Sequence, residues 1–312
     1  MKRKWLWLSL GVLVGVPFVL ILVALVSYQV ADRRSGTLVV AGETREYLLH
    51  VPESYDAARP TPLVISMHGT GFWPARQSGM SGWNAVADEE GFIVVYPSAT
   101  PLSAVGWPKL WRAWEDISGR EDTMADVQFI SDLIDALDAQ YNIDLTRIYA
   151  NGYSSGGAMA NLLACRLTDR VAAIGTVATA HLSFDSCGDL RSMPLIAFHG
   201  TADAQVPYEG GMSVMSGDEP WDSIREWTVG WAERNECNVT PSESAISADV
   251  TRLEYSDCES GAMVVLYTVA GGGHTWPGSN PPEWTTGMAG RTTDSIDATR
   301  AIWAFFREHP RT

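Results

Sequence analysis

Short apolar runs alternate along the chain with stretches in which apolar residues recur every three or four positions. Residues 44–51 (TREYLLHV), 62–68 (PLVISMH), 91–97 (GFIVVYP), 147–151 (RIYAN), 171–178 (VAAIGTVA), 194–199 (PLIAFH) and 263–269 (MVVLYTV) are rich in β-branched and aromatic residues and bounded by Gly or Pro. They predict strands. Between them the clearest helix is 123–141, where Val127, Ile130, Leu133, Ile134, Leu137 and Tyr141 share a stripe and Asp132, Asp135 and Asp138 lie off it. Further helices are predicted at about 82–90, 155–168, 221–236 and 294–308. Strands so uniformly apolar are buried on both faces, which predicts an α/β fold with a mostly parallel sheet covered by helices. No repeat, low-complexity tract or linker divides residues 35–312, so they read as one domain.

The first 34 residues break this pattern. No residue from Trp5 to Ala31 is charged, and the apolar run to Tyr28 would form a helix of roughly 36 Å, against a hydrocarbon core of about 30 Å. A cleaved signal peptide has a shorter apolar region and a small-x-small cleavage site; here a cut after Ala31 would place Gln29 at −3. Residues 1–34 therefore read as an uncleaved N-terminal transmembrane anchor, with secretion the outcome if they are cleaved. Lys2, Arg3 and Lys4 would hold the leading end in the cytoplasm and put the body outside, periplasmic or on the cell surface.

Charge and cysteine agree with that placement. The chain carries −15 overall although the segment 1–34 is basic, and Lys109 is the one lysine after it. Such acidity disfavours nucleic acid and anionic headgroups as partners. Cys165, Cys187, Cys237 and Cys258 lack the C-x-x-C spacing of a zinc site and fall as two local pairs. Of three possible connectivities, Cys165–Cys187 and Cys237–Cys258 are expected, each worth roughly 3 kcal/mol in the chain-entropy picture.

The chemistry concentrates in residues 147–160, RIYANGYSSGGAMA. A strand, then Gly152-Tyr153-Ser154-Ser155-Gly156, then a helix of small residues is G-x-S-x-G in its required strand–turn–helix setting, and it selects Ser154 over Ser155 as nucleophile. A serine hydroxyl needs an imidazole to take its proton and a carboxylate to hold that imidazole. In chain order Ser–Asp–His, each after a strand, these are Asp203 in HGTAD and His274 in AGGGH, with Asp185 and Asp189 as rivals for the acid. Backbone N–H groups must stabilise the oxyanion, and Ser155 and Thr70 are expected to supply them, with Gly71 next. His68 and His199, each heading a His–Gly–Thr sequence, are expected to organise their loops by hydrogen bonding.

With these residues in place, the body resembles the extracellular esterases that include polyhydroxybutyrate depolymerases and feruloyl or acetyl xylan esterases. The resemblance runs through TREYLLHVP, SMHGTG, SGWNAVADEEGFIVVYP, ADVQFISDLIDALDAQYNID, RIYANGYSSGGAMA, FHGTADAQVPY and GGGHTWPG to the terminal helix, most of residues 40–308. It implies an α/β-hydrolase fold, a Ser154–Asp203–His274 triad, and neither metal nor organic cofactor. Two departures stand out. Polymer depolymerases often carry a further polymer-binding domain, whereas this chain stops just past its last helix; many relatives are freely secreted, whereas this chain reads as tethered.

Trp227, Trp231 and Trp303 fall at core spacing on predicted helices, while Trp73, Trp107, Trp111, Trp114, Trp276 and Trp284 fall in loops. Trp73, Trp276 and Tyr153, next to the catalytic motifs, are candidates to line the substrate pocket, with loop anchoring as the competing role. The expected activity is serine carboxylic-ester hydrolysis through an acyl-enzyme, on oligomeric hydroxyalkanoate, feruloyl or acetyl-sugar esters. A serine peptidase of the same fold and a non-catalytic ligand-binding surface protein are the alternatives.

Overall fold

A computed structural model describes residues 35–101, 108–113, 124–179, 187, 191–213, 220–238, 240–280, 287 and 289–311. The 1–34 segment lies outside them, as do Trp107, Trp114, Trp284, Asp185 and Asp189. No helix among the described residues is long and apolar enough to cross a membrane.

The main sheet has ten strands. Its centre is six parallel strands in the order β4 (Ile93–Pro97), β3 (Thr61–Met67), β7 (Ile143–Tyr153), β8 (Ala173–Val177), β9 (Leu195–Gly200) and β12 (Val264–Val269). An antiparallel hairpin extends each edge: β1 (Gly36–Val40) with β2 (Glu43–His50) beside β4, and β10 (Ser242–Ala245) with β11 (Val250–Tyr255) beside β12. A separate two-stranded ribbon pairs β5 (Thr100–Pro101) with β6 (Lys109–Leu110).

Successive residues of the central strands enter different cores, as the two-residue period of a strand requires. Leu63, Ile65, Ile148, Leu195 and Leu266 join one cluster, with the apolar residues of α3 (Ala125–Asp138), α4 (Ser155–Arg166) and α5 (Ile224–Arg234). Val64, Tyr149, Ile196, Phe198 and Val265 join the other, with α2 (Trp83–Glu90) and α6 (Ala298–Glu308). Helices on both faces explain why β3, β4, β8 and β9 are buried along their whole length. Helix α1 (Pro74–Ser81) begins with Pro at its first turn, and Gly82, at φ 69°, ends it. A capping box between Ser223 and Glu226 starts α5, and the Asp297 side chain caps α6 through the Arg300 N–H.

The predicted strands and helices are all present, and α3 is somewhat shorter than expected. The pattern did not reveal β1, β10, β11, the β5–β6 ribbon or α1. Strand β10 is SESA, exposed throughout and held by its backbone bonds to β11, so it carries no hydrophobic signal. Helix α1, PARQSGMS, has no apolar stripe to recognise. Both expected disulfides, Cys165–Cys187 and Cys237–Cys258, are formed.

Candidate active site

Ser154 follows β7 at the C-terminal end of the parallel strands with φ 53° and ψ −121°, a conformation that costs a non-glycine residue on the order of 1–3 kcal/mol. Its neighbours make the turn possible. A Cβ on Gly152 would stand 2.1 Å from the Gly156 carbonyl carbon, and one on Gly156 would stand 2.2 Å from the Met67 carbonyl oxygen. The two glycines thus let helix α4 start directly against β3 and its own strand. The Ser154 N–H donates to Val177 O at 2.9 Å, tying the turn to β8.

Asp203 and His274 leave the adjacent strands β9 and β12 at the same end. His274 Nδ1 lies 2.7 Å from Asp203 Oδ2, both side chains being almost fully buried. The other carboxylate oxygen, Oδ1, accepts the N–H groups of Gln205 (2.8 Å) and Val206 (2.9 Å). Burial alone would raise the carboxyl pKa, but the hydrogen bonds from His199 and His274 prevail and hold it well below the usual carboxylate range. Asp203 is therefore an anion, and the Nδ1 of His274 carries the proton it accepts.

Tyr153 joins the Ser154 turn to His274. Its hydroxyl donates to the His274 carbonyl at 2.7 Å, and the two rings lie 5.1 Å apart. Burial, followed by the charge of Asp203, pushes the phenol pKa up, so this donor keeps its proton. Gly69 packs against the same ring, with room for no Cβ: the Tyr153 Cδ1 would be 2.9 Å away.

The two loop histidines are organisers. His68 is fully buried; its Nδ1 donates to Gly69 O at 2.8 Å and its Nε2 accepts the Ala99 N–H at 3.1 Å. Burial pulls its pKa down to about 3, which keeps the ring neutral and consistent with those two roles. His199 Nε2 donates to Val206 O at 2.9 Å and lies 3.4 Å from Asp203 Oδ2, buttressing the acid loop.

The expected oxyanion donors separate at this point. Ser155 opens α4, where the first N–H groups of a helix have no intrahelical partner. In the turn closed by Phe72 N–H to Gly69 O, Gly71 has φ 74° and its N–H already donates to Lys109 O at 2.9 Å. The Gly71 N–H is thus paired with β6, and Thr70 is exposed at the tip of the turn.

The aromatic candidates also divide. Trp276 is 1% exposed and donates from Nε1 to Thr299 Oγ1 at 3.0 Å, which anchors its loop to α6. Tyr153 is likewise buried and serves His274, while Trp73, at the head of α1, is only half-buried and remains a candidate for contact with substrate. Trp111 is fully buried and donates to His68 O at 2.8 Å; Trp227, Trp231 and Trp303 pack in the core as their spacing predicted. No local motif marks Ala99, Lys109 or Trp111, whose bonds to His68 and Gly71 arise only in the folded chain. Among the described residues no cluster of three or more His, Cys, Asp or Glu is placed to hold a metal ion.

The fold is that of an α/β esterase, with a mostly parallel sheet whose C-terminal edge gathers the candidate residues. The chain belongs to the Esterase PHB depolymerase family, whose profile matches residues 45–207, and it is a carboxylic ester hydrolase. It is 31% identical over 271 residues to the putative esterase NocK of Nocardia uniformis subsp. tsuyamanensis, covering 81% of this chain and 76% of that one. It is 27% identical over 236 residues to feruloyl esterase B of Piromyces equi, covering 74% of this chain and 42% of that longer protein. An acetyl xylan esterase from Aspergillus awamori shares the fold, with a TM-score of 0.54 at 17% identity over 78% of this chain and 92% of that one.

Proposed function

We propose that the protein is a serine carboxylesterase in which Ser154 is the nucleophile, His274 the general base and acid, and Asp203 the carboxylate that orients His274. The observation that carries this reading is the buried Asp203–His274 hydrogen bond, held by Tyr153 against the turn that presents Ser154.

With its Nδ1 proton on Asp203, the His274 imidazole has Nε2 free to take the Ser154 hydroxyl proton as Oγ bonds to the ester carbonyl carbon. The Ser155 and Thr70 N–H groups hold the resulting oxyanion; losing one such donor typically costs on the order of 100-fold or more in rate. Collapse breaks the bond to the alcohol oxygen, which leaves with the proton from His274. Water then attacks the acyl-serine, giving its proton to the same imidazole, and the acid departs with Ser154 restored.

The substrates are short or oligomeric esters of the hydroxyalkanoate, feruloyl or acetyl-sugar kind, with Trp73 as a candidate contact. Two disulfides suit an oxidising compartment. The uncharged run before Ala31 supports tethering outside the cytoplasm, residues 35–312 forming the catalytic domain.

Residues 35–312 and their Ser154→Ala variant should be compared on a feruloyl ester, an acetylated xylo-oligosaccharide, a 3-hydroxybutyrate oligomer and a short aryl ester. The expected result is serine-dependent hydrolysis, reduced at least about 1,000-fold in the variant with its thermal melt unchanged. Equal turnover by the two proteins would refute the assignment.

A further inference from the structure

The β10–β11 hairpin lies outside the central parallel sheet, yet its turn reaches the loop that carries His274. Val250 pairs with Val269, which sets Asp249 opposite Ala270, and the Ala270 N–H donates to Asp249 O at 2.8 Å. The Asp249 carboxylate then collects Arg291 Nη2 (3.0 Å), Thr293 Oγ1 (2.8 Å) and Ser247 Oγ (2.9 Å).

Arg291 spans the gap between that carboxylate and the glycine-rich loop. Its Nη2 also donates to Ala270 O at 2.5 Å and its Nε to Gly271 O at 3.4 Å. Its own carbonyl accepts the Gly273 N–H at 2.9 Å and the Thr275 hydroxyl at 3.3 Å, so one residue holds the loop on both sides of His274. The backbones meet closely enough there that a Cβ on Gly273 would stand 2.1 Å from Ala289 O. On its opposite side the loop is bound to the acid loop, through Gly271 N–H to Thr201 Oγ1 and Ala202 N–H to Gly272 O, both 2.8 Å.

We infer that Asp249 and Arg291 are positioning residues that fix the His274 loop against the Asp203 loop, so that the edge hairpin serves the catalytic geometry. This rests on the reading of His274 as the base. The pair is partly exposed, 48% at Arg291 and 23% at Asp249, and exposed ion pairs add little to stability. The Arg291 guanidinium is nevertheless directed at the Ala270 and Gly271 carbonyls just ahead of His274, and so sets where the Arg291 main-chain carbonyl meets Gly273 and Thr275 on either side of that residue. A point charge cannot replace it, because the guanidinium uses separate N–H groups for the carboxylate and the carbonyls.

The test compares the full chain with Arg291→Ala, Asp249→Ala, the double variant, Arg291→Lys and Ser154→Ala, on a short aryl ester. Small displacements of a reacting group can cost on the order of 100-fold. Each single alanine variant is expected to lower kcat about 10- to 100-fold with KM within about twofold and the melting temperature little changed. The double variant should lose no more than the worse single one, and Arg291→Lys should recover only part of the loss, as two members of one device do. Wild-type kcat in both single variants, or a loss accounted for by unfolding, would overturn the inference while an inactive Ser154→Ala protein kept the nucleophile assignment. Full activity in Ser154→Ala would instead remove the reading on which it rests.

Discussion

Asp203 binds its partners as an anion, and this has a consequence for acid stability. Because its folded pKa is held below the ordinary value of 3.8, the carboxylate stabilises the fold fully above about pH 4 and loses that contribution as pH falls toward the folded value. Asp203→Asn removes this linkage. Urea denaturation between about pH 5 and 2.5 should show a steeper loss of stability in the wild type than in the variant; parallel curves would mean that Asp203 is not held in this way. The sequence made Ser154, Asp203 and His274 legible because each follows a strand in a motif whose glycines admit only certain neighbours. It could not separate Thr70 from Gly71, since that distinction depends on the Lys109 carbonyl almost forty positions away, nor place Trp276, whose burial depends on Thr299.

At the scale of elements, the two disulfides lie at junctions. Cys165 lies in the last turn of helix α4, the helix that follows Ser154, and Cys237 lies just beyond α5 while its partner Cys258 follows β11. Each closes a loop of about 20 residues and should stabilise by roughly 3 kcal/mol. Cys165→Ala/Cys187→Ala should therefore lower the unfolding free energy by about that amount in urea, with esterase activity retained at low temperature. No change in midpoint would show that the bond contributes nothing. The strands of the central sheet were legible because both faces are largely buried and each carries a short run dominated by apolar, β-branched and aromatic residues. Strands β10 and β11 were not, because an edge hairpin needs only half a hydrophobic face or none. What the pattern failed to announce is the hairpin that carries Asp249, and with it the support for the His274 loop.

For the whole molecule, strand direction and register together fix where the candidate site lies relative to the N-terminus. Strand β1 is antiparallel to β2, β2 is antiparallel to β4, and β4 runs with the rest of the central sheet. The register decides the rest: Gly36 pairs with Tyr47, Tyr47 with Pro97 at the end of β4, and Met67 of the neighbouring β3 with Gly152, so Gly36 starts at the same end of the sheet as Ser154, Asp203 and His274. If residues 1–34 anchor the protein, as we propose, the anchor leaves from the same end of the sheet as the site, four strand spacings or roughly 19 Å to one side of it. Family and fold class were legible across most of the chain because the motifs recur in order. The substrate was not, since its recognition depends on how separated loops meet.

The central claim is that Ser154 attacks the ester. The most direct measurement is reaction of the purified protein with a fluorophosphonate, followed by peptide mapping of the adduct and assay of residual turnover. The account predicts one adduct, on Ser154, with loss of esterase activity in proportion to labelling and no labelling of Ser154→Ala. Inactivation with the adduct on another residue, or full turnover by a protein labelled at Ser154, would contradict it.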